Sequence, residues 1–151
     1  MDTVELLVQV GSLAALAVAI WGLRQNSKIH ERQSNAQTFI EYTGRYERVM
    51  SDFPPDAFDA RLNTAAALPE PSAALSLVAL RYLNLCSEEY YLWRERYLSD
   101  SVWSIWEVEL KRTLRTPLMR REWVRLRPEF ASYPEFSEFV DAVQNAESWA
   151  G

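Results

Sequence analysis

An apolar run of eighteen residues, Leu6–Leu23, constrains this chain more than any other feature of its sequence. Gln9 is its one amide, and no residue in the run is charged. An α-helix rises about 1.5 Å per residue, so this run would extend roughly 27 Å, close to the thickness of the hydrocarbon core of a bilayer, about 30 Å. The sequence therefore predicts a transmembrane anchor over residues 1–23.

The charges beside the run predict its orientation. Asp2 and Glu5 precede it, whereas Arg24, Lys28 and Arg32 follow it. Basic residues next to a span stay on the cytoplasmic side of the membrane. We expect the N-terminus outside and the rest of the chain in the cytoplasm.

Small residues in the run leave two further readings open. Ala15, Ala17 and Ala19 also fit the cleavage site of an exported protein, although the acidic start is the reverse of a signal peptide. Gly11, Ala15 and Ala19 recur every four residues and form a candidate face for packing against another transmembrane helix. That helix could belong to a second copy of the chain, or the alanines could be ordinary for an anchor.

The rest of the chain is long enough for one domain with its own core. Its helical periodicity and lack of alternating strand patterns predict an all-α fold. We expect a juxtamembrane helix over residues 24–53, either continuous with the anchor or broken at Asn26 and Ser27, and a cytoplasmic bundle of about five helices over residues 54–151. In that bundle, Ala73 to about Leu98 reads as a central helix, apolar around most of its circumference.

Catalytic and metal-binding patterns are absent from the sequence. His30 is the only histidine and Cys86 the only cysteine, so paired-histidine and thiolate metal sites are excluded. Glu88 and Glu89 are adjacent on a helix and project in different directions, which favours ordinary surface charge over a catalytic pair. We expect no catalytic residues, no metal and no cofactor. The net charge of -5 argues against nucleic acid as a partner.

One basic segment could contact an anion. Its candidate residues are Lys111, Arg112, Arg115, Arg121 and Arg125. Nearby glutamates, including Glu122, could instead pair with these side chains internally. The sequence leaves open a solvated, internally paired face and a contact with lipid headgroups or an acidic protein.

Several segments of the chain form a recognisable set. They are the span ending in Arg24-Gln25-Asn26, then Trp103 and Trp106, then Pro117, Arg121, Trp123 and Phe130, and the ending from Tyr133 to Asp141. Together they resemble a family of small bacterial single-pass membrane proteins of unknown function. The family tends to have glycine after the proline, where this chain has Leu118. The resemblance implies a bacterial inner membrane and this architecture, and it implies no activity.

These observations favour a membrane-tethered, non-enzymatic adaptor, regulator or accessory subunit that binds another membrane protein or itself. Two alternatives are a module that binds anionic lipid surfaces and a small enzyme with an unrecognised carboxylate site.

Overall fold

A computed structural model describes the backbone of residues 3–63 and 65–146, and the side chains of residues 16, 18–63 and 65–146. Its elements are α1 (Thr3–Ser51), α2 (Pro55–Leu62), α3 (Ala73–Arg94), α4 (Asp100–Leu114), α5 (Pro117–Leu126), a 3₁₀ turn (Arg127–Phe130) and α6 (Pro134–Asn145). No strand occurs in this part of the chain, so the all-α prediction is confirmed. By its internal contacts the chain divides into two units, Met1–Thr38 and Phe39–Gly151.

Helix α1 is unbroken at Asn26 and Ser27, where the sequence allows either a continuous helix or a break. Within the described residues, no helix is both long enough and apolar enough to cross a membrane. The predicted anchor falls in large part on residues 6–15 and 17, whose side chains lie outside the described residues. The anchor therefore stays a prediction.

Local sequence signals place most of the other helix ends. Pro55, Pro117 and Pro134 each occupy a first turn, where the missing N–H costs no hydrogen bond. Ser72 caps the N-terminus of α3, and its Oγ accepts a hydrogen bond from the backbone N–H of Leu75 at 3.1 Å. Thr116 caps α5 in the same way, its hydroxyl oxygen accepting a hydrogen bond from the N–H of Met119 at 3.4 Å.

The core of the second unit is built on α3, which packs against α4, α5 and α6. Large rings fill the space between them. Tyr90 of α3 lies 4.8 Å from Phe139 and 6.0 Å from Trp103, measured between ring centroids, and Trp93 stacks on Trp103 at 4.9 Å. Aromatic pairs at these distances add stabilisation of about 0.5–1.5 kcal/mol each beyond the area they bury.

The predicted central position of α3 is confirmed, although two of its large apolar side chains, Leu77 and Tyr91, are 50% and 48% exposed. The predicted end of the helix was wrong, because α3 ends at Arg94 rather than near Leu98. Arg96 takes the left-handed conformation with φ 63°, and the N–H groups of Arg96 and Tyr97 donate to the carbonyls of Trp93 and Leu92. This is the Schellman helix ending, a site where glycine is the usual residue.

The Arg96→Gly variant should therefore be more stable than the wild type, by about 0.5–1 kcal/mol, because glycine adopts a positive φ without steric cost. Among the described residues, the substitution removes the exposed ion pair of Arg96 with Asp100 at 3.6 Å, which is weak. Urea unfolding followed by circular dichroism measures the difference. The matched control is Arg94→Gly, inside the last turn, which should lose about 1 kcal/mol. Equal stability changes for the two variants would contradict this account.

Candidate binding cavity

A cavity of about 160 Å³ lies within the second unit, between the C-terminal part of α1 and helices α3 and α4. Most of its walls are apolar or aromatic, and two carboxyl side chains line it. The lining residues are Phe39, Tyr42, Thr43, Tyr46, Tyr82, Leu85, Glu89, Trp106, Glu109 and Leu110. Such a concave, largely apolar site with few polar groups is typical of small-molecule binding sites.

Trp106 forms the centre of the aromatic wall. Its ring lies 5.9 Å from that of Phe39, nearly parallel at 12°, and 5.5 Å from that of Tyr42. Phe39 and Tyr42 are three residues apart on α1 and so share one face of that helix. Residues of two helices therefore supply a single aromatic surface.

Glu89 is the unusual group in the cavity. It is only 7% exposed, and no hydrogen bond to its carboxyl occurs in the part of the chain that the structure describes. Burial raises the pKa of Glu89 to about 8, with Glu88 adding to the rise and Arg45 opposing it. At neutral pH the carboxyl is therefore mostly protonated and uncharged.

The neighbouring Glu88, by contrast, is ionised at neutral pH. Arg45 holds it with two hydrogen bonds, of 2.5 and 2.9 Å, and the hydroxyl of Tyr42 donates a third at 3.2 Å. The hydrogen bonds from Arg45 lower the pKa of Glu88. This fork-to-fork contact joins α1 to α3 beside the cavity and occupies the guanidinium of Arg45.

The predicted basic cluster has protein partners throughout. Lys111 pairs with Glu107 at 2.8 Å, Arg112 pairs with Glu109, and Arg115 donates to the carbonyl of Val143 at 3.4 Å. These contacts neutralise much of the charge on α4. Whether the surface also contacts an anion stays a prediction.

Arg121 and Arg125 meet in a polar network between α3 and α5. Arg121 donates to the Glu122 carboxylate and, at 2.7 Å, to the carbonyl of Pro69. Glu122 is buried and also accepts from the hydroxyl of Ser76 at 2.7 Å, while Arg125 donates to the same hydroxyl oxygen at 3.0 Å. Glu122 thus contacts Arg121 directly and Arg125 through the hydroxyl of Ser76, and its single negative charge offsets one of the two positive charges.

The remaining candidate residues are placed as follows. Ala19 is exposed, whereas the surroundings of Gly11 and Ala15 are not among those that the structure describes. The proposed packing face therefore stays a prediction. Cys86 is buried in the core, where burial raises the pKa of its thiol, and His30 is exposed on α1. No group of acids, histidines and cysteines that could hold a metal ion occurs among the described residues.

The prediction that Glu89 carries ordinary surface charge is wrong, because the side chain is buried. The spacing of residues in the sequence of α3 does indicate that Glu89 is buried. Glu89 comes seven residues after Tyr82, four after Leu85 and three after Cys86, all of which are buried on one side of α3. Residues at these spacings share a helix face. The spacing predicts burial, whereas the cavity itself depends on α1 and α4.

No protein-family model, curated protein or solved structure matches this chain. The resemblance to small bacterial membrane proteins therefore stays a prediction.

The raised pKa of Glu89 predicts how stability depends on pH. Between pH 4.5, its usual pKa, and about 8, the unfolded chain releases a proton that the folded protein keeps. Stability contributed by this group is therefore lost as the pH rises through that window, by up to about 1.4 kcal/mol per unit. Glu89→Gln removes the effect. The stability of the variant relative to the wild type should rise by on the order of 3–4 kcal/mol between about pH 5 and pH 8.

Urea unfolding of both proteins at the two pH values measures this difference. The control is Glu95→Gln, an exposed glutamate just after α3, which should follow the wild type. A Glu89→Gln protein whose stability runs parallel to that of the wild type would show that the carboxyl ionises normally.

Proposed function

We propose that this protein is a membrane-tethered, non-enzymatic adaptor or regulator. Its N-terminal helix holds it in the bacterial inner membrane, and its helical domain binds a second membrane protein on the cytoplasmic side. The observation that carries the proposal is an apolar strip on the outward side of α4.

The strip consists of Ile105 and Val108, which are 56% and 65% exposed. They are three residues apart and lie on one face of the helix. The opposite side of α4 supplies Trp103 and Leu110 to the core, both nearly inaccessible to solvent. Helix α4 thus carries apolar side chains on two sides, and its own fold covers only one.

Neither local structure nor solubility favours these two residues. Branching at Cβ restricts χ1 in a helix, so isoleucine and valine are weaker helix formers than leucine or lysine at an exposed site. Burial of two such side chains against a partner would contribute about 1.5–3 kcal/mol each. Their polar neighbours Ser101, Ser104 and Arg112 are all exposed and would form the rim of the contact.

Support for the tether comes from the sequence of the first helix. The run Leu6–Leu23 has the length and composition of a span, and Arg24, Lys28 and Arg32 follow it. All three basic side chains are exposed. Each could contribute about 1 kcal/mol of attraction to anionic lipids on the cytoplasmic face.

Site-specific photocrosslinking in native membranes tests the contact. A photoreactive residue at position 105 or 108 should give a discrete adduct with one other membrane protein. The control is position 124, because Val124 is 79% exposed on α5 and lies outside the strip. Adducts of equal yield from all three positions would contradict a specific contact, and an adduct with the protein itself would replace the partner with a second copy.

The double substitution Ile105→Asp and Val108→Asp should abolish the discrete adduct formed from a flanking probe at position 104. Val124→Asp should leave it unchanged. Because both sites are exposed, circular dichroism should show a folded protein in each case.

Reporter fusions to the C-terminus test the tether and its orientation. A reporter active only in the cytoplasm should be active, and one active only outside the cytoplasm should be silent. Replacing Arg24, Lys28 and Arg32 by glutamine should weaken this preference, because basic residues beside the span set its orientation. A fusion recovered in the soluble fraction would rule out the tether.

A further inference from the structure

Aromatic rings and two acidic side chains line the cavity, and the guanidinium of Arg45 lies over one of the rings, 4.8 Å from the centre of Tyr42. Phe39, Tyr42 and Trp106 present aromatic rings, and the faces of such rings attract cations. The attraction reaches about 2 kcal/mol or more per ring where water is excluded, and tryptophan is the strongest partner.

Apart from the tyrosines, the two ionisable side chains that line the cavity are both acids. Glu89 is buried in the wall, and Glu109 lies nearer the surface, where Arg112 pairs with it. The described residues that line the cavity include no lysine, arginine or histidine. Arg45 lowers the pKa of Glu89 from outside the lining, where it pairs with Glu88 and lies over the ring of Tyr42.

We propose that this cavity binds a small organic ammonium ion, with its alkyl groups against Phe39, Tyr42 and Trp106 and its charge beside the carboxyl of Glu89. This ligand site is separate from the protein contact proposed for α4 and does not depend on it.

The volume agrees with such a ligand. A cavity of about 150 Å³ accommodates benzene, and this one measures about 160 Å³. A trimethylammonium group with a short substituent has a similar number of heavy atoms. An inorganic cation would leave the aromatic walls without contacts, and an anion would face two carboxyl groups.

Binding should be coupled to loss of the Glu89 proton. The charged or titratable groups around this carboxyl are Tyr82, Cys86 and Glu88 on α3, Tyr42, Arg45 and Tyr46 on α1, and Glu109 on α4. The pKa of Glu89 is about 8 without ligand, and a cation beside it favours the ionised form. Affinity for a cation that does not titrate should therefore rise as the pH approaches 8 and level off above it, by at most tenfold per pH unit.

Isothermal titration calorimetry of the full-length protein in an uncharged maltoside detergent tests the proposal. The probes are choline chloride and its uncharged isostere 3,3-dimethylbutan-1-ol, at about pH 6.5, 7.5 and 8.5. The wild type should bind choline at least tenfold more tightly than the alcohol at the highest pH, since only choline carries the charge. Choline binding should strengthen with pH, and sodium chloride should give no saturable heat.

Two variants separate the contributions of the carboxyl and the aromatic wall. Glu89→Gln keeps the shape of the side chain and should weaken choline binding about tenfold at the highest pH while making it independent of pH. Trp106→Leu should weaken binding at every pH and retain the pH dependence, and the control Glu95→Gln should bind like the wild type. Circular dichroism checks that each variant is folded.

Equal affinity for choline and the alcohol would overturn the proposal, and so would the absence of saturable choline binding by the wild type. Choline binding that keeps its pH dependence in Glu89→Gln would remove this carboxyl from the site. If Glu89→Gln does not fold, the isostere comparison and Trp106→Leu still decide the outcome.

Discussion

The packing of large rings between α3, α4 and α6 is the constraint on which the rest of the domain depends. Tyr90 lies within 6.1 Å of the rings of Trp103, Tyr133, Phe136 and Phe139, measured between centroids. Rings of this size fill space only when they interlock, because interiors are packed as densely as organic crystals. Tyr90 therefore fixes which side of α3 faces inward, and with it the orientation of every other residue on that helix.

One consequence is the contrast between two adjacent glutamates. The rotation of α3 that buries Tyr90 also buries Tyr82 and Cys86. Glu89 turns inward with these two, because it lies seven and three residues after them and so shares their helix face. Glu88, one residue earlier, is turned toward Arg45 and stays ionised. Both side chains are glutamates, yet at neutral pH Glu88 is ionised and Glu89 is mostly uncharged. Their difference therefore comes from their positions on the helix.

A second feature of the helix contacts is that two carboxylates, Glu122 and Asp141, are paired. Glu122 is buried where α5 meets α3, and its carboxylate is stabilised by Arg121 and Ser76. The indole N–H of Trp123 donates to Asp141 at 2.8 Å, and Arg127 holds the same carboxylate. Burying a charge costs several kcal/mol unless hydrogen bonds and an opposite charge compensate. Arg121, from the predicted basic cluster, and Arg127 thus stabilise contacts between helices.

The sequence by itself determined the all-α class and most helix boundaries, because these depend on neighbouring residues. Proline in a first turn, the hydroxyls of Ser72 and Thr116, and the spacing of apolar residues act over one or two turns. It placed the end of α3 too late, since Arg96 adopts the left-handed conformation without the glycine that usually marks it. It also contained the spacing that buries Glu89.

Only the tertiary structure decided that α1 and α4 would enclose this carboxyl, that Ser76 would meet Glu122, and that Ile105 and Val108 would stay uncovered. The reason is physical: a helix face is set by residues a few positions apart, whereas a cavity or an uncovered face depends on residues tens of positions away, whose approach follows from the packing of the whole core.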